Sequence, residues 1–131
     1  MFVDASALVA ILASEDGADA LLVKLEQAES RSTSSMALWE TSVALGRQRQ
    51  IAPMDAFKIV TAFLKLLPVE IEPVRQEVGE IAVIAYQRFG KDRHPAGLNF
   101  GDCFAYACAR HLNMPLLYKG DDFSKTDIDS A

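Results

Sequence analysis

The chain has 131 residues, of which half are hydrophobic and 24% are charged, and its formal net charge is −5. This length suits one domain, residues 1–131, with a two- or three-layer core, and the composition is ordinary for a soluble globular protein. No apolar run is long enough to span a membrane and no signal-peptide pattern opens the chain, so we expect no membrane association and a cytoplasmic location. The negative charge argues against a nucleic-acid coat protein, but it does not exclude an enzyme that acts on nucleic acid.

The first half of the chain alternates short strand signals with helical periodicity. Apolar residues recur at helical spacing between capping and turn residues such as those of Ser14–Gly17. In chain order we predict a strand at Phe2–Val3, helices over Ser6–Ala13 and Ala18–Glu29, a polar strand at Arg31–Ser34, and helices over Met36–Arg49 and Pro53–Leu66.

The second half continues the alternation and defines the fold class. We predict a strand at Pro68–Pro73, a helix over Val74–Arg88, a loop over Gly90–Gly101, a helix over Asp102–Leu112, a strand at Pro115–Tyr118, and a further short strand around Asp127–Ile128. Strands separated by helices, without hairpin signals, favour a parallel sheet covered on both faces. The expected architecture is therefore α/β, with four to five parallel strands.

Three acids lie in apolar surroundings that rarely hold a carboxylate. Asp4 follows the first strand, Glu40 lies in the middle of a helix, and Asp102 opens the run Cys103–Ala109. A buried carboxylate is costly unless a cation meets it. No lysine or arginine lies one helical turn from Glu40, so a divalent metal shared by all three acids is the simplest explanation.

Purely structural roles compete with this hypothesis at two of the three positions. Asp4 is a suitable N-cap for the helix that follows it. Asn99 and Asp102 have the spacing of a capping pair at the start of a helix, where an acid is also favoured by the helix dipole. Glu40 has no comparable structural explanation.

Further candidates stand near these acids in the sequence. The turn Lys119–Phe123 contains Asp121 and Asp122, either of which is a candidate fourth carboxylate, although Gly-Asp pairs are also common in ordinary turns. Ser6 and Asn99 are candidate supporting residues, and both are equally suited to helix capping. The spacing does not choose between Asp121 and Asp122.

Oxygen ligands without histidine or cysteine select Mg²⁺ or Mn²⁺ over zinc or copper. In such a site a divalent ion activates water and stabilises charge on a phosphate oxygen, which indicates phosphodiester hydrolysis. Phosphate-binding GxxxxGK[ST] and GxGxxG loops are absent, as is a nucleophile elbow.

The chain resembles the PIN-domain ribonucleases of the VapC toxin type, from bacterial and archaeal toxin–antitoxin pairs. The resemblance covers nearly the whole chain, and its motifs are Phe2–Ala7, Glu40 on its helix, Arg93–Ala107 and Leu116–Ile128. It implies a three-layer α/β/α fold and Mg²⁺, with Mn²⁺ as a substitute, held by Asp4, Glu40 and Asp102, with Asp121 or Asp122 nearby.

The resemblance also implies an activity and partners. Members cleave RNA, often tRNA or rRNA, and so arrest translation. They commonly form homodimers. A cognate VapB-type antitoxin silences them, and an arginine of that antitoxin can occupy the carboxylate cluster. Two alternatives remain: a catalytically silent PIN-like binding module that acts through antitoxin complexes and gene repression, and a phosphoacceptor receiver domain. The receiver domain lacks the acidic pair it needs at the first strand.

Overall fold

Four short strands form a fully parallel sheet in the computed structural model, which describes all 131 residues. The strands are β1 (Phe2–Val3), β2 (Ser32–Ser34), β3 (Glu70–Glu72) and β4 (Leu116–Leu117), in the order β3-β2-β1-β4. In the central register, Phe2 lies opposite both Ser32 and Leu116. Parallel neighbours require crossover connections, and helices supply them.

Six helices cover the sheet, four on one face and two on the other. They are α1 (Ala5–Leu12), α2 (Ala18–Gln27), α3 (Ser35–Arg49), α4 (Pro53–Leu66), α5 (Gln76–Phe89) and α6 (Phe100–His111). Side chains alternate along a strand, so Val3 and Leu117 pack in the core with α1 to α4, whereas Phe2 and Leu116 pack in the core with α5 and α6. This confirms the predicted α/β/α architecture.

All six predicted helices and four of the five predicted strands are present, with bounds that differ by at most a few residues. The largest useful difference is at α6, which begins at Phe100 rather than Asp102 because Asn99 caps it. The weakly marked polar strand is present as Ser32–Ser34, and it is buried in the sheet.

The predicted fifth strand around Asp127–Ile128 is wrong. Only a single bridge forms in the tail, between Ser130 and Leu116. Asp127 is instead fixed by side-chain contacts: its carboxylate accepts hydrogen bonds from Arg88 Nη2 at 2.9 Å and Tyr106 Oη at 2.7 Å, and it pairs with Arg110 at 3.0 Å. These contacts hold Asp127 against α5 and α6, and the tail pairs with β4 through only two backbone hydrogen bonds, from the Leu116 amide to Asp129 O and from the Ala131 amide to Leu116 O.

The cysteines are structural. Cys103 and Cys108 are buried as free thiols, and burial raises the pKa of each to about 11. A thiol with so high a pKa is protonated at neutral pH and is a poor nucleophile or metal ligand. Among the helices, none combines the length and the apolar character that a membrane crossing requires.

Candidate active site

Asp4 lies at the carboxyl end of β1, where the chain leaves the sheet and turns into α1. It is the N-cap of α1, and it is only 5% exposed. Its Oδ2 accepts hydrogen bonds from the Ser6 amide at 3.0 Å and the Ser6 hydroxyl at 2.5 Å. Burial raises the pKa of Asp4, and the hydrogen bonds from Ser6 and Ala5 oppose that rise. Capping and a site role are thus compatible, because Ser6 engages Oδ2 and leaves Oδ1.

Glu40 approaches Asp4 from α3, and its carboxylate lies against the backbone of Gly101 in the first turn of α6. It is half-buried and receives no hydrogen bond and no ion pair from the protein. A Cβ atom at residue 101 would lie 2.7 Å from the Glu40 carboxyl carbon and closer still to both oxygens, which is closer than real Cβ contacts allow. Glycine at this position therefore makes room for the carboxylate.

Asp102 completes the group of three acids from the start of α6. It forms a reciprocal capping box with Asn99: the Asp102 amide donates to Asn99 Oδ1, and the Asn99 amide donates to Asp102 Oδ2, both at 2.9 Å. The capping expectation for Asn99 and Asp102 is therefore confirmed. It fixes the Asp102 carboxylate through Oδ2 alone, so Oδ1 takes no part in the cap.

The three acids line one open cleft of about 380 Å³, which we call the carboxylate cleft. Residues of α1, α3, α6 and two loops form its walls. They are Asp4, Ala5, Ser6, Val9, Glu15, Glu40, Ala44, Asn99, Asp102 and Lys119. Both predicted supporting residues, Ser6 and Asn99, are among them. The cleft thus joins side chains that are far apart in the sequence, because the carboxyl ends of parallel strands share one edge.

The electrostatics of the cleft are those of unneutralised like charges. Burial, then repulsion from Asp4 and Asp102, raises the pKa of Glu40 to about 7. Burial raises the pKa of Asp102 to about 6; the hydrogen bond from Asn99 opposes this rise, and repulsion from Asp4 and Asp122 adds to it. Carboxylates that repel one another in this way stabilise any cation placed between them.

The structure places Asp121 and Asp122 differently from the three central acids. Both are exposed in the turn after β4, where Gly120 has a φ of +105°, and neither lines the cleft. The Asp121 carbonyl accepts the Ser124 hydroxyl, and Asp122 precedes the short 3₁₀ helix Phe123–Lys125. Only Asp122 is close enough for its charge to raise the pKa of Asp102.

Sequence reasoning did not assign Glu15, Gln48, Gly101 or Lys119 to the site. Lys119 is the one cationic residue that lines the cleft, and its ammonium pairs with Glu15 at 2.7 Å. Glu15 also accepts a hydrogen bond from Gln48 at 3.2 Å. No local sequence pattern predicts the Glu15–Lys119 contact, because the two residues are 104 positions apart. Gly101 differs, because a glycine next to Asp102 is a sequence signal for a close approach of another group to the backbone.

The donor set of the cleft fits a hard divalent ion. No three acids, histidines or cysteines converge closely enough to enclose an ion by themselves. Mg²⁺ usually keeps several waters and takes only one or two protein carboxylates, so it does not need a closed cage. Glu40, half-buried and without a protein partner, provides the kind of oxygen ligand that such an ion requires.

Comparisons with known proteins identify the family of this chain. The PIN domain family matches residues 1–129. The chain is 39% identical to ribonuclease VapC28 of Mycobacterium tuberculosis, over 100% of this chain and 97% of that protein. It is 38% identical to a VapC ribonuclease of Rhizobium meliloti, over 97% of this chain and 98% of that protein.

A solved structure shares the fold. The crystal structure of Mycobacterium tuberculosis VapC20, described as a toxin that cleaves the sarcin-ricin loop, superimposes with a TM-score of 0.76 at 22% identity, covering 99% of this chain and 97% of that one. The chain belongs to the PIN domain family and, within it, to the VapC ribonucleases. The receiver-domain alternative is therefore wrong.

Proposed function

We propose that this chain is a Mg²⁺- or Mn²⁺-dependent endoribonuclease of the toxin type, which cleaves RNA and so arrests translation. The observation that carries the proposal is the carboxylate cleft, which Asp4, Glu40 and Asp102 line without an ion pair to any of them, since its one lysine pairs with Glu15. The names of its relatives, VapC ribonucleases that match almost from end to end, support the same activity.

In this proposal Asp4, Glu40 and Asp102 would hold the metal, directly or through the waters that Mg²⁺ keeps, and their surroundings set their orientation. Bound there, the ion would activate water for attack on phosphorus and stabilise the charge that develops on a phosphate oxygen. Ser6 holds Asp4 through two hydrogen bonds to Oδ2, and Asn99 holds Asp102 through the capping box. Such fixed ligands lose little freedom on binding an ion.

The test is cleavage of purified tRNA and rRNA by antitoxin-free protein, with Mg²⁺ or Mn²⁺ and then with EDTA. Asp4→Asn is the informative variant because asparagine is an equally good N-cap and suits a buried site, so the fold should persist. Discrete fragments from wild type with metal, and none from Asp4→Asn, are expected. Asp19→Asn, which changes an exposed acid on α2, is the matched control and should cleave like wild type.

The competing function is a silent binding module that acts through complexes with an antitoxin. The net charge of −5 favours it, because most of the surface would repel RNA. Intact RNA over a range of metals and substrates, with protein proven free of antitoxin, would support this alternative and contradict the nuclease.

A VapB-type antitoxin is the partner we propose, on the basis of the VapC relatives. An arginine from the partner would fit the carboxylate cleft, because a guanidinium pairs with carboxylates bidentately and meets the same charge as a metal ion. Partner and Mn²⁺ should then compete for the cleft in calorimetric titrations.

We propose a cytoplasmic location, where the RNA substrates are, and the free buried thiols of Cys103 and Cys108 suit a reducing compartment.

We also propose a homodimer, supported by an exposed apolar surface beside the cleft. Val83, Tyr86, Phe100 and Phe104 line a groove of about 410 Å³ between α5 and α6, and Val83 and Phe100 are 69% and 71% exposed. Trp39 on α3 is a further large apolar side chain that is 66% exposed. Contiguous apolar surface of this kind marks protein interfaces. Sedimentation should show a dimer that Val83→Glu dissociates; a wild-type monomer at all concentrations would contradict it.

A further inference from the structure

Lys119 stands apart in the carboxylate cleft because it is the only cationic residue among those that line it. Four acids share the lining with it, namely Asp4, Glu15, Glu40 and Asp102. A polyanionic substrate that enters this cleft meets repulsion from every charged side chain except the Lys119 ammonium. This contrast makes Lys119 the obvious contact for a phosphate group.

The backbone of Lys119 is tied directly to the buried acid of the site. Its amide donates a hydrogen bond to Ser6 Oγ at 3.0 Å, and the same hydroxyl donates to Asp4 Oδ2 at 2.5 Å. Asp4 and Lys119 also follow neighbouring strands, since β1 pairs with β4 in parallel. The position of Lys119 relative to Asp4 is therefore fixed by the sheet and by one bridging hydroxyl.

The side chain of Lys119, in contrast, is held by an exchangeable contact. Its ammonium pairs with Glu15 Oε2 at 2.7 Å, and both side chains are about one-third exposed, at 37% and 32%. Glu15 is held from the other side by Gln48 Nε2. Ion pairs this exposed contribute little stability and are screened by salt. A phosphate, which binds an ammonium through charge-assisted hydrogen bonds, can replace the Glu15 carboxylate at small cost.

We propose that Lys119 binds an RNA phosphate next to the cleavage site, and that Glu15 masks this lysine until RNA displaces it. The inference rests on the proposed ribonuclease function for its choice of ligand. Phosphate contact by Lys119 and masking by Glu15 are separable, and each has its own variant. Lys119→Met removes the charge and keeps most of the side-chain length, and Glu15→Gln removes the charge and keeps the shape.

The experiment measures binding rather than cleavage. Antitoxin-free protein is titrated into a fluorescein-labelled single-stranded RNA of about 16 nucleotides, in EDTA, at several salt concentrations, and anisotropy gives the dissociation constant. Lys119→Met should weaken binding about threefold to tenfold. It should also reduce the slope of log K against log salt by about 0.7, the value for one phosphate contact on a single strand.

Glu15→Gln should have the opposite effect and tighten binding by about twofold to fivefold. This gain in affinity should shrink in the Lys119→Met background, because Glu15 then has no lysine to mask. Equal gains in the two backgrounds would show that Glu15 acts only through its negative charge, and would overturn the masking. The matched controls are Lys58→Met and Asp55→Asn, which break an exposed ion pair on α4 away from the cleft. Neither control should alter affinity or salt slope.

Failure of this inference is distinguishable from failure of the proposed function. A salt slope unchanged by Lys119→Met, or no measurable RNA binding by wild type, would each overturn the role of Lys119, whatever the cleavage assay shows. Conversely, the expected binding changes in a protein that leaves RNA intact with every metal would uphold the phosphate contact and contradict the nuclease.

Discussion

Two regions of this molecule hold carboxylates in opposite electrostatic settings. Asp127 in the tail is met by Arg88, Arg110 and the Tyr106 hydroxyl, which outweigh its partial desolvation and hold its pKa well below the usual range. Glu40 in the cleft has no protein donor, and burial together with neighbouring acids raises its pKa to about 7. The chain therefore neutralises the first acid internally and leaves the second to something that it binds.

This difference separates stability from function. A carboxylate with its own arginines stabilises the fold, and its loss leaves cations without a partner. A carboxylate that is repelled by its neighbours costs stability and is retained where a ligand needs it.

The largest expected effect is a loss of RNA cleavage, and it should follow from a change at Glu40 but not from a change at Asp127. Glu40→Gln should reduce RNA cleavage by about a hundredfold or more, because a neutral amide is a poor ligand for a hard ion. The same change should leave the metal-free melting temperature unchanged or higher, because a repulsive charge is gone. Fragment formation and thermal unfolding, measured on the same samples, check both parts.

The counterpart on the other side is Asp127→Asn. It should leave the cleavage rate near that of wild type and lower the free energy of unfolding by about 1 kcal/mol, since solvent screens ion pairs that are as exposed as these. Activity lost in Asp127→Asn, or retained in Glu40→Gln, would contradict the division between the two regions.

The next effect concerns the space that Glu40 occupies. Gly101→Ala should lower activity and Mn²⁺ affinity about tenfold to hundredfold, because the new methyl group would collide with the Glu40 carboxyl group and displace it. Calorimetric titration with Mn²⁺ measures the affinity directly. Gly79→Ala in α5 is the matched control: a Cβ there meets nothing within 4 Å, so the change should stabilise the helix by up to about 1 kcal/mol and leave activity unaltered.

A smaller effect should separate Asp121 from Asp122. Asp122 raises the pKa of Asp102 through its charge, whereas Asp121 does not contribute. Asp122→Asn should therefore reduce cleavage about tenfold, and Asp121→Asn should reduce it little, when both are assayed at several Mg²⁺ concentrations. The reverse ranking would identify Asp121 as the fourth acid.

The sequence predicts the acids of the cleft better than it predicts their contacts. Asp4, Glu40 and Asp102 could be found because each one stands against a local apolar pattern, and a carboxylate in such a place needs a reason. The Glu15–Lys119 pair could not be found, because it joins two polar loops through the tertiary fold and neither residue is unusual in its own segment. Long-range contacts between exposed charges leave no periodic signal.

The same limit explains the wrong strand in the tail. Ile128 lies between Asp127 and Asp129, an arrangement that is compatible with a short strand. The competing influence is tertiary: Arg88 and Arg110 lie on two different helices, and together with the Tyr106 hydroxyl they hold Asp127 outside the sheet. Local patterns thus identify all four strands of this sheet, and they fail only for the tail beyond β4, where side-chain contacts decide the structure.

The last expected effect is a change in how the stability of the metal-free protein depends on pH. Glu40 has an ordinary pKa of 4.5 that rises to about 7 in the folded chain, and Asp102 rises from 3.8 to about 6. Between these values the folded state binds more protons than the unfolded state, so the free energy of unfolding of the metal-free protein should fall as pH rises through this window. We expect a loss of about 1–3 kcal/mol in total, measured by calorimetry in EDTA.

Added Mn²⁺, a change at Glu40 and the contribution of Asp127 should each alter this pH dependence of stability in a defined direction. Mn²⁺ should restore stability increasingly as pH rises, because its ligands must be deprotonated. Glu40→Gln should flatten the metal-free decline. Asp127 acts in the opposite direction: its folded pKa is lowered, so its contribution is present above 3.8 and is lost as pH falls below that value. A metal-free melting temperature that rises from about pH 5 to about pH 7.5 would mean that the protein itself neutralises the cleft acids, and the contrast between the two regions would then fail.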